Sequence, residues 1–545
     1  MPHPGRKIIL AFIGFIIALG ALAGGIILVT GVLVTRGRPL GAIVVGVPYQ
    51  LQTLDPLAQP LDPNEPEAIS PFRLVYDTLV ISGPDGRIHP HLATSWEIGA
   101  GGREITFRLR PAVFHDGRPV DAGAVKYTLD RILTDPRGKA LAATLGPLEK
   151  VEILAQDRVR LVFERPFPPI FSALSWSALG IVAPPSGSPA AGRERLGPVG
   201  SGPFRPESWT EAGLTLVRDD ARRWASTLPW AGGVSRLERV TFRFLPEPGS
   251  RLLAFRRGQL DLAELDPGNY PEALGLPGAR ILLVPRPSLT YLGFSVSGEN
   301  QVGTALREAA TLAINREALL RASGWPAQPE TTFLPRGMWA IQLPRRARAD
   351  PGDPGRAREV LEAAGWRDLD GDGLVETPDP EGGRPTHLSL EILTYNYDWE
   401  RRLTAEVVAQ LREVGIDAVG EPLEPREVLG RTRDGRAQAF VLTYNWYDPD
   451  IAFYLFHSTR VGLTNRSGLS DPVVDRAIES ALLAVDPAAR STAYGALAEI
   501  LKARLVWVPL ASQATPVAVR GTVTGLIIGG ADEILLSGTE FRPER

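Results

Sequence analysis

The chain begins with a long apolar run that carries no charge. After Arg6 and Lys7 the next charged residue is Arg36, so residues 8–35 are 28 uncharged positions rich in Ile, Leu, Ala, Val and Gly. A helix of that length rises about 40 Å, which exceeds the ~30 Å hydrocarbon core of a bilayer. We therefore expect residues 8–35 to be an uncleaved membrane anchor. Its short side carries Arg6 and Lys7, which places the N-terminus inside and the remaining chain outside.

Cleaved export is the alternative for this segment. Ala21 and Ala23, followed by Gly24, resemble a small-residue cleavage site. The sequence has no cysteine, which excludes disulfides, thiolate metal ligands and a lipidated cysteine. The apolar run is therefore the only means of membrane attachment that the sequence offers, and residues 36–42 after it have the composition of a short linker.

The composition indicates a globular chain. Hydrophobic residues make up 44% and charged residues 22% of the 545 positions, close to the average of folded proteins. The net charge of -3 gives no electrostatic footprint for nucleic acid. We expect no nucleic-acid partner.

The first half of the chain has the pattern of a mixed α+β fold with many loops. An apolar strand is predicted at residues 43–47. Residues 104–110 alternate apolar and polar after a glycine-rich turn, and residues 151–154 and 159–163 flank a second turn. These patterns predict antiparallel hairpins.

From about residue 300 strands and helices alternate. Apolar residues recur at helical spacing over 306–314, and Asn315 can cap a following helix. A strand at 388–392 precedes a helical stripe at 403–414, and residues 439–443 form a second apolar strand. This order predicts an α/β lobe distinct from the first half.

A series of short motifs lies at 74–80, 90–96, 106–110, 113–119, 200–204, 305–319, 357–373, 411–416, 448–450 and 508–510. These motifs closely resemble those of the bacterial extracellular solute-binding proteins of family 5, the peptide, nickel and related-solute receptors of ABC importers. They occur in the order of the family, and the resemblance covers roughly residues 43–530.

The resemblance implies an α/β, two-lobed periplasmic-binding-protein-like fold of the large type. After a membrane anchor and linker at 1–42, the first lobe would comprise 43–290 plus 511–545, with an extra α+β subdomain at about 75–198. The second lobe would comprise 291–510. Crossover strands between the lobes are expected near 288–295 and 508–513.

The resemblance also implies a function. A receptor of this type captures a peptide or peptide-like small solute by hinge closure and delivers it to ABC permease subunits, from the outer face of the cytoplasmic membrane or the periplasm. We expect a monomer without a cofactor. The alternatives are a non-peptide ligand such as a sugar, opine or metallophore, a sensing role, and a surface hydrolase. An enzyme is not expected, because the sequence has no Gly-x-Ser-x-Gly elbow and no phosphate-binding Walker loop.

Candidate ligand-binding residues follow the predicted strands, where ligands of open α/β sheets usually lie. Aromatic side chains there can form pocket walls. Arg401, at a helix start, can pair with a carboxylate or phosphate. The alternatives are a lobe core for Trp446 and Tyr447 and a solvated helix start for Arg401. The candidates are Tyr49, Gln50, Thr53, Tyr395, Asn396, Arg401, Tyr444, Asn445, Trp446, Tyr447 and Asp448.

In peptide-binding members of the family, an aspartate after the Trp that corresponds to Trp446 binds the peptide amino terminus. Asp448 is the nearest counterpart in this sequence. The segment between Trp446 and the Asp-Pro motif is shorter here, so a free α-amino ligand does not follow from the resemblance.

Metal binding has one weak candidate. Asp368, Asp370 and Asp372, followed by Gly373, have the spacing of a calcium loop. Asp379 occupies the twelfth position, where a glutamate is usual. The alternative is a plain surface loop. The histidines show no zinc-ligand spacing, so no other metal centre is expected.

Overall fold

The computed structural model describes residues 41–58, 68–185, 196–222, 228, 236–335, 338, 351–378, 385–529, 534–536 and 539–541. The apolar run at 8–35 and Asp379 lie outside these ranges. Within them, no helix combines the length and the apolar character that a membrane span requires.

The described strands are numbered here in chain order. They are β1 Ala42–Val47, β2 Val80–Ser82, β3 Ile88–Pro90, β4 Ala93–Gly99, β5 Glu104–Leu109, β6 Leu148–Ala155, β7 Arg158–Phe163, β8 Phe204–Thr210, β9 Gly213–Arg218, β10 Arg239–Phe244, β11 Leu262–Glu264, β12 Ala279–Pro285, β13 Ser288–Phe294, β14 Ala327–Pro329, β15 Glu376–Thr377, β16 Thr386–His387, β17 Ser389–Tyr395, β18 Asp417–Leu423, β19 Ala439–Asn445, β20 Trp507–Arg520, β21 Val523–Thr524, β22 Ile527–Ile528, β23 Ile534–Leu535 and β24 Glu540–Phe541.

The α-helices are numbered in the same way. They are α1 Pro71–Val75, α2 Ala122–Thr134, α3 Lys139–Thr144, α4 Ile170–Ser175, α5 Ser250–Arg256, α6 Tyr270–Ala273, α7 Thr304–Ala313, α8 Arg316–Ser323, α9 Pro354–Ala363, α10 Asp398–Glu413, α11 Pro425–Arg433, α12 Ile451–Phe456, α13 Pro472–Leu483 and α14 Pro487–Arg504.

One long strand, β20, joins two groups of strands in the largest sheet. Its first part pairs with β13 and β14 and its second part with β11 and β12. The sheet order is β18-β17-β19-β13-β20-β11-β1-β10-β9-β8, with β12 and β14 paired to β20 beside this path. We call β13, β14 and β17–β19 the second strand group, and β1 and β8–β12 the first strand group.

The chain passes between the two strand groups at two adjacent places. Between β12 and β13, the backbone N–H of Arg286 donates to the carbonyl of Gln513 at 2.8 Å, and the N–H of Gln513 donates to Ser288 Oγ at 3.0 Å. Gln513 lies within β20, so the two connections run side by side. The first connection, at residues 286–287, lies just before the crossover that the resemblance implies near 288–295, and the division of the chain into two lobes stays a prediction.

The second strand group is built as predicted from alternating strands and helices. The parallel strands β17 and β18 are connected by α10. Leu403, Val407 and Leu411 recur along α10 at helical spacing and are fully buried. The helix ends before Gly415, whose φ of +94° suits a residue without a side chain. Asn315 caps α8 as expected, because its side chain accepts from the N–H of Ala318 at 3.0 Å.

Two strand predictions need correction at their ends. The strand predicted at 439–443 extends as β19 to Asn445, because its pairing with β13 continues through Tyr444 and Asn445. The strand predicted at 388–392 runs as β17 to Tyr395, paired throughout with β18. The aromatic candidates Tyr395 and Tyr444 are therefore strand residues rather than loop residues.

The predicted hairpins of the first half form a separate four-stranded antiparallel sheet in the order β4-β5-β7-β6. Alternate residues of β5 and β7, among them Phe107 and Leu161, are buried, and α2 packs beside β6 and β7. Phe171 of α4 lies edge-on to Phe107, with ring centroids 6.2 Å apart. Through this contact the four-stranded sheet holds α4 near the second strand group.

Candidate functional site

A cavity of about 240 Å³ lies at the carboxyl ends of β17 and β19. Because these strands are parallel neighbours, their last residues meet at one edge of the sheet. Tyr395, Tyr444 and Trp446, three of the predicted residues, line it. The full lining is Tyr291, Tyr395, Leu442, Thr443, Tyr444, Trp446, Ile451, Tyr454, Leu455, Thr464 and Arg466.

Hydrogen bonds and ring packing hold the aromatic walls in place. Tyr444 Oη donates to the carbonyl of Phe333 at 2.5 Å, and Trp446 Nε1 donates to Asp450 Oδ1 at 2.7 Å. Trp446 packs against Tyr454, with ring centroids 5.8 Å apart. Buried aromatic groups whose polar atoms are satisfied in this way keep a fixed orientation, so the cavity has a defined shape.

Three phenol groups of the cavity, those of Tyr291, Tyr395 and Tyr444, have raised pKa values and remain neutral at ordinary pH. Burial raises the pKa of Tyr291 and of Tyr395, while the nearby Arg466 opposes the rise in both. Burial also raises the pKa of Tyr444 well above its usual value. These side chains therefore offer apolar faces and neutral hydroxyl groups to a ligand.

Arg466 supplies the positive charge of the cavity, and sequence reasoning did not find it. The side chain is half-buried, and its Nη1 donates to the carbonyl of Leu429 at 3.2 Å and to Thr432 Oγ1 at 3.1 Å. In the described part of the chain it forms no ion pair with a carboxylate. A half-buried guanidinium without a carboxylate partner is suited to an anionic ligand group.

A chain of buried hydrogen bonds leads away from Thr443 at the cavity. Thr443 Oγ1 donates to Glu400 Oε1 at 2.8 Å and shares a 2.8 Å hydrogen bond with Thr290 Oγ1. Trp399 Nε1 donates to Thr290 Oγ1 at 2.9 Å. Burial raises the pKa of Glu400. This network fixes Thr443. No local pattern in the sequence predicts it, because its residues come from three separate segments.

Asp448 is directed into the protein rather than into the cavity. Its Oδ1 lies 2.5 Å from Arg490 Nη2, and its Oδ2 accepts from Ser172 Oγ at 3.0 Å. Tyr447, the residue before it, is half-buried and stacks on Trp446, with ring centroids 6.1 Å apart. In this arrangement the Asp448 carboxylate is paired with the Arg490 guanidinium inside the protein.

The remaining predicted residues near β17 and β19 lie at the surface around the strand ends. Asn396 and Asn445 are exposed and do not line the cavity. Arg401 is exposed and pairs with Asp398 at 3.2 Å, one turn earlier in α10. Its surroundings are those of a solvated helix start.

The three candidates after β1 lie apart from the cavity lining. Tyr49 Oη donates to the carbonyl of Ile69 at 2.7 Å, and its ring packs against the core of the first strand group. Gln50 is exposed, and Thr53 Oγ1 accepts from the N–H of Asp55 at 3.0 Å. The structure thus brings Tyr395, Tyr444 and Trp446 together at the cavity. Tyr49, Gln50 and Thr53 do not line it.

The fold and the cavity define a solute-binding protein, and comparison with known proteins identifies its family. The chain belongs to the bacterial extracellular solute-binding proteins, family 5; the model of the middle region of that family matches residues 87–462. Members of the family bind small-molecule or peptide ligands, are periplasmic, and work with ABC permeases.

Individual relatives cover almost the whole chain. The glutathione-binding protein GsiB of Shigella dysenteriae is 26% identical over 525 residues, which are 93% of this chain and 96% of the relative. GsiB of Salmonella typhimurium is 25% identical over 501 residues, covering 89% and 92% of the two chains.

Solved structures share the fold. The unliganded open form of the periplasmic murein tripeptide binding protein MppA superposes with a TM-score of 0.76 at 19% identity, covering 92% of this chain and 98% of that one. The nickel ABC transporter protein of Bacillus halodurans gives a TM-score of 0.73 at 20% identity, with 92% and 100% covered. The predicted periplasmic-binding-protein-like α/β fold is confirmed.

Proposed function

We propose that this protein is the receptor of an ABC importer and that its solute is a small peptide or peptide-like compound carrying a carboxylate. The ligand class is inferred from Arg466. Its half-buried guanidinium lies at an aromatic cavity and has no carboxylate partner among the described residues. The curated relatives named glutathione-binding support a small acidic peptide as the ligand.

The size of the cavity limits what it can enclose. At about 240 Å³ it is smaller than the roughly 300–1,000 Å³ of sites that enclose a whole drug-sized ligand. We infer that it takes one end or one side chain of the solute, with the carboxylate toward Arg466. The rest of the solute then lies toward the first lobe, where the exposed Gln50 follows β1.

The two lobes of the receptor are proposed as 43–290 plus 511–545, including the subdomain at about 75–198, and 291–510. The adjacent connections at residues 286–287 and 511–514 are the proposed hinge. A ligand that contacts both lobes raises the closed population by its difference in affinity for the two states. The protein acts as a monomer in this scheme.

Residues 8–35 are proposed to anchor the receptor to the outer face of the cytoplasmic membrane. The support is the length of the uncharged run and the absence of cysteine from the sequence. Mass spectrometry of the mature N-terminus tests this, because a chain that starts near residue 24 would show that the segment is a cleaved signal.

The ligand class is tested on the full chain by native mass spectrometry of solutes carried through purification. Calorimetric titration follows, with glutathione and with its amidated analogue, in which neutral amides replace the carboxylates. We expect the acidic form to bind and the amidated form to bind at least about tenfold more weakly, since a charge-assisted hydrogen bond is lost. A sugar, opine or metallophore recovered in place of a peptide would overturn the peptide assignment. Chemical conversion of the solute would overturn the receptor role itself.

A further inference from the structure

An acidic loop between α9 and β17 lies outside the ligand cavity. Asp368, Asp370, Asp372 and Glu376 each place one carboxylate oxygen so that these oxygens all lie within 4.8 Å of one another. The loop ends in β15, where Glu376 pairs across the hairpin with His387 of β16. Four carboxylates therefore converge on one point.

Backbone hydrogen bonds fold the three aspartates inward. Asp368 accepts from the N–H groups of Gly371 at 2.7 Å and Gly373 at 3.1 Å. Asp370 and Asp372 each accept one backbone N–H through Oδ1. No lysine or arginine in the described ranges forms an ion pair with any of the three. Their mutual repulsion is therefore not offset by a side-chain cation.

Glu376 provides an independent sign of a missing partner. Its residue is 1% exposed, its Oε2 accepts from the N–H of Leu369 at 2.9 Å, and its buried Oε1 makes no hydrogen bond among the described residues. His387 Nδ1 lies 3.2 Å from Oε1 and pairs with it as a cation only when the imidazole is protonated. A buried carboxylate oxygen that accepts no hydrogen bond is costly, and a cation bound among the four carboxylates would offset that cost.

The donor set favours a calcium-sized cation. All four groups are carboxylates, the ligands of hard cations, and three of them alternate along the chain before a glycine with φ of +89°. Mg²⁺ sites usually use one or two carboxylates, whereas Ca²⁺ takes six to eight oxygen ligands in flexible geometry. We propose that Asp368, Asp370, Asp372 and Glu376 form a Ca²⁺ site. The buried Glu376 supplies the fourth carboxylate.

The site has a structural consequence for the second strand group. The N–H of Val375 donates to the carbonyl of Gly415, and the N–H of Leu388 donates to the carbonyl of Val375, both at 2.8 Å. The loop is therefore attached to the end of α10 and to the start of β17. Because Ca²⁺ binds the folded loop and not the unfolded chain, it raises the melting temperature of the protein.

The test uses the full-length protein stripped with EDTA and titrated calorimetrically with CaCl₂, MgCl₂ and NiCl₂. We expect one Ca²⁺ per chain with a Kd of about 10⁻⁴ M or tighter, and weaker binding of Mg²⁺.

Two variants test the ligands. D372N, at an exposed position, and E376Q, at the buried one, should each raise the Kd for Ca²⁺ by at least about tenfold and remove the effect of Ca²⁺ on the melting temperature. Glu362→Gln is the matched control, since Glu362 is 65% exposed on α9 and outside the cluster.

Three results would overturn the site. They are no heat at about 10 mM CaCl₂, Ca²⁺ affinity unchanged in D372N, and Ni²⁺ binding that is tighter than Ca²⁺ and lost in His387→Ala. D372N changes only an exposed side chain, so the test stands even where E376Q does not fold.

Discussion

Asp448 and Arg490 form an ion pair in which neither side chain is exposed: Arg490 Nη2 lies 2.5 Å from Asp448 Oδ1, and both side chains are 0% exposed. The guanidinium also lies over the ring of Tyr494, 4.9 Å from its centroid. Asp450 follows closely, and burial together with the charge of Asp448 raises its pKa to about 8. The segment after β19 is thus organised around a buried charge pair.

Replacing Arg490 by methionine should strongly destabilise the protein. The change removes the cation that pairs with the buried Asp448, and breaking a buried ion pair in this way costs about 3–5 kcal/mol of the free energy of unfolding. Urea denaturation measures this. Arg433→Met is the control, because Arg433 pairs with Asp434 at the surface, with 54% and 42% of the side chains exposed; it should cost less than about 1 kcal/mol. If both variants lose the same free energy of unfolding, the buried pair does not stabilise the protein more than the surface pair does.

Removing the hydroxyl of Ser172 should weaken the contact between the two halves of the chain. Ser172 of α4 donates to Asp448 across 276 positions of sequence. A hydrogen bond to a charged group contributes about 1.5–3 kcal/mol, so Ser172→Ala should shift the ligand-free protein away from the arrangement seen here.

Spin-label distances provide the measurement for Ser172→Ala. Because the sequence has no cysteine, labels can be placed at Glu97→Cys and Arg476→Cys, both exposed, without background labelling. Ser175→Ala is the control, since Ser175 Oγ donates within its own helix, to the carbonyl of Ser172. A distance distribution identical in the two variants would show that the Ser172 contact does not hold the halves together.

The sequence predicted those parts of the site that local pattern determines. Tyr395 and Tyr444 end strands whose apolar periodicity is strong, and parallel strands place their carboxyl ends at one edge. Arg466 and Tyr291 come from other segments and reach the cavity only through tertiary packing.

The role of Asp448 shows the same limit. The family resemblance gives Asp448 as the nearest counterpart of a ligand-binding aspartate, and in the structure its carboxylate pairs with Arg490, 42 positions later. A lone sequence contains no signal for such a partner, because arginine is abundant throughout the chain and pairing at that separation depends on how α14 packs.

Glu264 should make stability depend on pH. Burial raises its pKa to about 7, although Arg251 and Arg286 oppose the rise, and its Oε2 has no hydrogen bond among the described residues. The unfolded value is about 4.3, so between these pH values the folded state binds more protons and stability falls as pH rises. The stabilising contribution of protonated Glu264 to the free energy of unfolding is fully present below about pH 4.3 and is lost by about pH 7.

Glu264→Gln should remove this dependence and stabilise the protein above pH 7 by up to about 3 kcal/mol. The measurement is urea denaturation of the two proteins at about pH 5 and pH 8, with Glu247→Gln, at an exposed position, as the control. If the difference between the original protein and E264Q is the same at both pH values, Glu264 does not titrate as described.

Replacing Arg466 by glutamine should selectively weaken ligands that carry a carboxylate. The loss of a charge-assisted hydrogen bond predicts a Kd at least about tenfold higher for the acidic form of the ligand and an unchanged Kd for its amidated form. Arg436→Gln is the control, because Arg436 is 65% exposed and pairs with Asp434. Since Arg466 also binds Leu429 and Thr432 of α11, circular dichroism should first establish that the variant is folded. A parallel loss for both forms of the ligand would mean that Arg466 shapes the cavity rather than binding the carboxylate.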